Sequence, residues 1–179
     1  TSGWNSGKGF APIGSIAKKF TGSLDGKGYN ISELHINRVT TDYVGLLGYL
    51  DKGSSVLNLS LIRQNVIGHD YVGGFVGYTY METTVEKCSA TGSTSGNDYI
   101  GGIVGYNWGI VRDCYTTGST NGNEYVGGVV GNNKQGTVKS CSATGITTGV
   151  TFIGGLMGYN DDGTVNTCSA TGNTIGSGS

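Results

Sequence analysis

Charged side chains are scarce: 11 basic and 12 acidic residues make up 13% of the 179-residue chain and leave a net charge of -1, where an ordinary soluble domain carries about 25% charged residues. Without a Lys/Arg cluster, the chain lacks the electrostatic footprint of a nucleic-acid or anionic-membrane partner. No apolar run approaches the roughly 18 residues of a membrane span. The chain begins Thr1-Ser2-Gly3, with neither a Met nor a charged-then-apolar leader, and so reads as a processed protein or an excised piece. Its two histidines, His35 and His69, are far apart, and there is no H-E-x-x-H, no G-x-S-x-G and no Gly-rich phosphate loop, so catalytic chemistry is poorly provided for. Asp161 and Asp162 are adjacent and would point apart, unlike the acid pair of a polysaccharide-cleaving enzyme. What the chain has in excess is Gly, 35 residues, beside 36% apolar residues and 11 Tyr. That apolar content is too high for a disordered linker.

A repeat organises it. Tyr71-Val-Gly-Gly-Phe-Val-Gly-Tyr78 returns at Tyr99, Tyr125 and Phe152, with a looser copy at Tyr43, at spacings of 28, 28, 26 and 27 residues. Each unit carries a second segment headed by Val56, Val85, Val111, Val138 or Val165, with an apolar or small residue three and five positions later. Ile31, Leu34 and Ile36 repeat that spacing, so residues 20–42 read as a degenerate first coil. Two short strands per unit, Gly-rich corners and no 3.6-residue apolar period predict an all-β parallel β-solenoid of about six coils, roughly 27 residues each. The single domain spans 20–179, with coils starting near 20, 43, 71, 99, 125 and 152. Residues 1–19 read as an N-terminal cap or lead-in.

Stacked coils turn equivalent residues into files. Cys88, Cys114, Cys141 and Cys168 form one file, read as a core ladder of small apolar side chains. Tetrahedral zinc cannot be served by four ligands spread over about 14 Å, whereas disulfides between neighbours remain an alternative. Asp42, Asp70, Asp98 and Glu124 form a column of like charges. Each carboxylate either accepts a hydrogen bond from its own turn or, with Asn97 and Asn123 beside Asp98 and Glu124, contributes to a weak Ca²⁺ site; no other cofactor is expected. Tyr78, Tyr106 and Tyr159, with Asn132 in the same file and Trp108 nearby, form a candidate strip for sugar rings or a cross-strand stabiliser. Thr91, Thr117, Thr144 and Thr171 form an outward hydroxyl file that raises an ice-binding face, though Tyr115, Ile146 and Asn173 interrupt its flanks. Phe75 and Val76, like their equivalents, are apolar on both strand parities, which points either to a lateral partner or to glycine bends that turn both inward. Asn30-Ile-Ser32 and Asn58-Leu-Ser60 match the glycosylation pattern.

The segments Gly45-Leu-Leu-Gly48, Gly74-Phe-Val-Gly77, Gly102-Ile-Val-Gly105, Gly128-Val-Val-Gly131 and Gly155-Leu-Met-Gly158 resemble the core of GLUG repeats. Phe20-Thr-Gly-Ser-Leu-Asp-Gly-Lys-Gly-Tyr-Asn-Ile31 resembles the lead-in of such arrays, and Cys88-Ser-Ala-Thr-Gly92 their C-x-A-T-G stretch. The resemblance implies bacterial or archaeal secreted and cell-surface proteins, including adhesin-like proteins and the non-peptidase region of IgA-specific metallopeptidases, and it carries over no catalytic residue. The expected function is a non-catalytic extracellular stalk, adhesive module or fibre subunit. Self-association, head to tail through an edge at Thr174 and Ile175 or lateral, is one expected partnership, continuation of a longer chain another, and a host or environmental glycan or protein a third. A glycan- or ice-binding face is the alternative, and a polysaccharide-cleaving enzyme a more distant one.

Overall fold

The computed structural model describes residues 3–177. Each full coil lays down four segments, which in one turn are Val76–Thr79, Thr84–Glu86, Ser89–Ser95 and Asp98–Gly101. Equivalent segments pair in parallel and in register, building sheets of five, six, ten and four strands. Among the described residues there is no helix. The protein is therefore a parallel β-solenoid. The first and last coils are incomplete, so the winding amounts to about five turns where six coils were expected.

The interior follows the predicted alternation. Val56, Val85, Val111 and Val138 are fully buried in register, as are Leu61, Ala90 and Ala143 of the neighbouring sheet. Burying one such Val stabilises by roughly 1.5–3 kcal/mol, repeated at every rung. In the first coil the register departs from the sequence reading. Leu24, not Ile31, aligns with Val56, while Ile31 aligns with Leu61 and Ile36 with Val66. A turn at Gly26–Tyr29 lies between the two strands of that coil, and its extra length brings the 0, +3, +5 spacing into a false match.

The doubly apolar segment does not mark a lateral surface. Phe75 and Val76, Ile103 and Val104, and Val129 and Val130 are all fully buried, because the chain turns between successive sheets at this point and aims both side chains inward. Glycine is required at that corner: a Cβ on Gly101 would stand 2.0 Å from the Val104 carbonyl oxygen, and the equivalents Gly73 and Gly127 meet theirs at 2.1 and 2.0 Å.

Two further corners hold non-glycine residues in the left-handed region. Asn58, Lys87, Asp113, Ser140 and Thr167 have φ between 51° and 54°, and Tyr43, Tyr71, Tyr99, Tyr125 and Phe152 between 52° and 61°. Left-handed backbone costs an L-residue roughly 1–2 kcal/mol, and a β-branched residue is the least suited to it. Thr167→Gly is accordingly expected to raise stability by about 0.5–1 kcal/mol, after the entropy Gly adds to the unfolded chain is deducted. Urea denaturation of the pair measures it, and a destabilised variant would refute the account.

The two ends of the solenoid differ. At the N-terminal end, residues 9–20 lie along the first rungs: the Gly48 N–H donates to the Ile13 carbonyl at 2.9 Å, the Phe20 N–H to Tyr49 at 2.9 Å and the Asp51 N–H to Phe20 at 2.9 Å. At the other end, Val165, which stacks on the buried Val138, and Ile175, which stacks on the partly buried Thr148, are about half exposed.

Candidate functional site

The left-handed corner positions an aromatic seam. Tyr43, Tyr71, Tyr99, Tyr125 and Phe152 stack ring on ring with centroids 4.7–4.9 Å apart and planes within 3°. Each offset-stacked pair is worth about 0.5–1.5 kcal/mol beyond its burial, enough to offset the backbone cost of the corner. A second column runs beside it, where Tyr49, Tyr78 and Tyr106 stack at 4.6 and 5.0 Å. Its rings meet the first column edge-on: Tyr78 with Tyr43 at 5.9 Å, Tyr106 with Tyr99 at 5.5 Å and Tyr159 with Phe152 at 5.4 Å. Burial, reinforced by neighbouring tyrosines, pushes the Tyr71 hydroxyl up to about 12 and raises that of Tyr78 further.

This packing changes what the predicted strip can do. Both faces of Tyr78 and one face of Tyr106 are spent on neighbouring rings, so a continuous open platform of flat faces for sugar stacking is not what these residues form. Tyr159 is exposed at the last coil, and Trp108 leans on Tyr80 at 5.3 Å with its ring N–H buried and unpaired. Tyr49, which belongs to the same column, was missed because its unit is the loosest copy. The hydroxyl file is also not a flat face: strands Tyr115–Thr116 and Ser119–Asn121 are separate pieces of one sheet, and Thr91 Oγ1 is engaged by the Arg63 N–H at 2.9 Å.

The acidic column is tied to the next coil rather than to its own turns. Asp42 Oδ1 accepts the Asp70 N–H at 3.3 Å, Asp70 the Asp98 N–H at 3.2 Å and Asp98 the Glu124 N–H at 3.2 Å. The preceding residue reinforces each step: His69 Nδ1 lies 2.8 Å from Asp42, Asn97 donates to Asp70 at 3.1 Å, and Asn123 bonds Asp98. Asn97 thus turns its N–H, not its oxygen, to the column. The expected oxygen set around Asp98 and Glu124 is not assembled. The tightest group is Asp42, His69 and Asp70, with one ligand atom each within 4.8 Å of one another. Two carboxylates and an imidazole nitrogen are a poor match to the six to eight oxygens Ca²⁺ takes.

Electrostatics in the column oppose one another. The bond to Asp42, then the charge of Asp70, raises the His69 imidazole above its ordinary value, whereas burial, then Asp70, raises the Asp98 carboxyl. A carboxyl raised on folding binds its proton more tightly in the folded state, so its contribution to stability is present at low pH and lost as pH rises through the folded value. Asp98→Asn keeps an acceptor for the Glu124 N–H and removes the charge. It is expected to raise the melting temperature at pH 7, with the advantage shrinking toward pH 4; thermal melts across that range measure it, and a destabilised variant at pH 7 would contradict the assignment.

The cysteine file lies inside, with Cys88, Cys114 and Cys141 buried and Cys168 partly so. Each thiol donates to the carbonyl two residues before it, at 3.2–3.3 Å. Hydrogen bonds with Cys141 and Cys88, together with burial, push the Cys114 thiol well up, so at neutral pH it is an inert, protonated core group. Thr174 and Ile175 form the last strand of their sheet. At the opposite end of the same file lies the strand His35–Asn37, whose edge is already paired with the chain at Lys8–Phe10 through the Gly9–Ile36 bridge; this weighs against simple head-to-tail docking. Of the two glycosylation patterns, Asn30 is exposed, whereas the Asn58 amide is bound to Asp25 Oδ1 at 3.0 Å.

A family model described as "The GLUG motif" matches residues 68–95, 96–121 and 122–148. Over 84 residues, 43% of this chain, the sequence is 46% identical to a protein named Halomucin from Haloquadratum walsbyi. Over 55 residues, 31% of this chain, it is 44% identical to an Evansella cellulosilytica protein provisionally named a Gly-rich membrane protein. The matches span only 1% and 6% of those relatives. Among solved structures, it resembles a Bacteroides ovatus protein provisionally designated an immunoglobulin A1 protease, with TM-score 0.70 and 21% identity over 85% of this chain and 51% of the other. At that identity the likeness concerns the fold alone.

Proposed function

We propose, for a chain that belongs to the GLUG-repeat proteins, a non-catalytic structural role as a stalk or spacer module of a secreted or cell-surface protein. The observation that carries this is the register kept from coil to coil through the body, shifted only by a bulge where Ser60–Ile67 pairs with Ser89–Ser95. The same Val, Cys, Tyr and Asp positions stack through the body, so the chain's binding energy goes into a stiff rod held by nearest-neighbour contacts. The names of the two relatives, Halomucin and a Gly-rich membrane protein, agree with a surface setting. Antibodies against this chain should label intact, unpermeabilised cells of its source, and mild proteolysis of those cells should remove the label. Labelling that requires permeabilisation would overturn the reading.

A further inference from the structure

The second aromatic column is interrupted once. In register, its file reads Tyr49, Tyr78, Tyr106, Asn132, Tyr159, while the first column continues unbroken past the same level through Tyr125. Where a ring would fill the file there is only the short Asn132 side chain. Tyr106 and Tyr159 therefore flank a space two rung spacings apart, about 9.6 Å, and the column's own spacings of 4.6 and 5.0 Å fit one intervening ring. Asn132 is 6% exposed, and its Oδ1 is buried without a hydrogen-bond partner. A buried acceptor without a partner costs about 1–3 kcal/mol, so the position favours an occupant that donates to it.

We infer that this gap is a binding slot for a phenolic ring, seated between Tyr106 and Tyr159 with its hydroxyl donating to Asn132 Oδ1. Direction decides the chemistry. The column's own tyrosines are anchored at the backbone and their hydroxyls lie at the outer end, whereas a ring entering from solvent leads with the group farthest from its attachment. A phenol, whether free or as the tyrosine of a partner protein, thus delivers its O–H to the floor. Lys134 lies two residues along the same strand and pairs with Asp161, and both charges act on the Tyr106 hydroxyl. This ion pair stands at the mouth and must swing aside for entry.

The test is titration of the full chain with p-cresol, followed in ¹⁵N-resolved NMR spectra by the backbone amides of Tyr106 and Tyr159 and, in the unsubstituted chain, by the Asn132 side-chain amide as well. Saturable shifts with a dissociation constant on the order of 1 mM are expected for a ligand of this size. The methyl ether of p-cresol, which has the ring but no donor, should bind at least about tenfold more weakly, as should p-cresol to Asn132→Ala. Asn132→Tyr should complete the column, raise the melting temperature by about 2–4 °C and abolish the titration. A tyrosine amide in a short peptide binding more tightly than p-cresol would identify a protein as the source, and equal affinity a free phenol. Absent saturation, equal binding of the methyl ether, or a lower melting temperature for Asn132→Tyr would each overturn the assignment.

Discussion

Gly101→Ala is expected to cost about 4 kcal/mol or more, at the upper end for a single substitution. The added Cβ would stand 2.0 Å from the Val104 carbonyl oxygen, 2.8 Å from that of Val129 and 2.9 Å from the Gly131 nitrogen. All three are backbone atoms held in the ladders of consecutive coils, so no flexible side-chain end can yield. The corner would have to open, and opening it lifts Ile103 and Val104 from the core. Gly28→Ala is the control. It has open space around it but φ of +80°, so only the left-handed penalty of roughly 1–2 kcal/mol applies. Guanidinium denaturation of the three proteins measures the contrast, and equal losses would show that backbone proximity is not what fixes glycine at the corner.

The second large effect is expected from Asn133→Ala. Inside the coil, Thr79 Oγ1 donates to Asn107 Oδ1 at 2.7 Å, Asn107 Nδ2 to Asn133 Oδ1 at 2.8 Å, and Asn133 Nδ2 to Asn160 Oδ1 at 2.8 Å. Asn133 also donates to the Gly136 carbonyl at 3.1 Å. Truncating this fully buried member takes away the acceptor of one Asn107 Nδ2 hydrogen and opens a void, while the Gly136 oxygen keeps only the Thr164 N–H, so a loss of about 3–5 kcal/mol is expected. Asn160→Ala, at the exposed final coil where water can substitute, should cost less than about 1.5 kcal/mol. The difference in urea midpoints between the two variants reports it; a small loss at Asn133 would show that the amide file is not a supporting ladder.

Much of this fold is legible because period and register are written in residue type. Val85, Val111 and Val138 recur in step, and the structure stacks them in step. The first coil misled because a longer turn shifted Leu24 into the Val file, and a three-residue spacing carries no information about turn length. The aromatic corner was hidden for another reason. Left-handed backbone is normally announced by Gly or Asn, and Tyr71 or Tyr99 in that conformation can be recognised only once the stacked rings that sustain it are seen. The missing ring at Asn132 was visible as an exception in the file, but its meaning depended on the burial and unpaired oxygen of its amide.

One coil stores 26–28 residues within a rise of about 4.8 Å along the axis, yet the same residues drawn out span about 90 Å. A solenoid of this kind under tension is thus a length reservoir: peeling a single coil lengthens the chain nearly twentyfold over that coil's folded rise, while every coil behind it keeps its ladders. The load it bears is limited by the weakest remaining end coil, and the distance it can give before parting is set by how many coils stand behind.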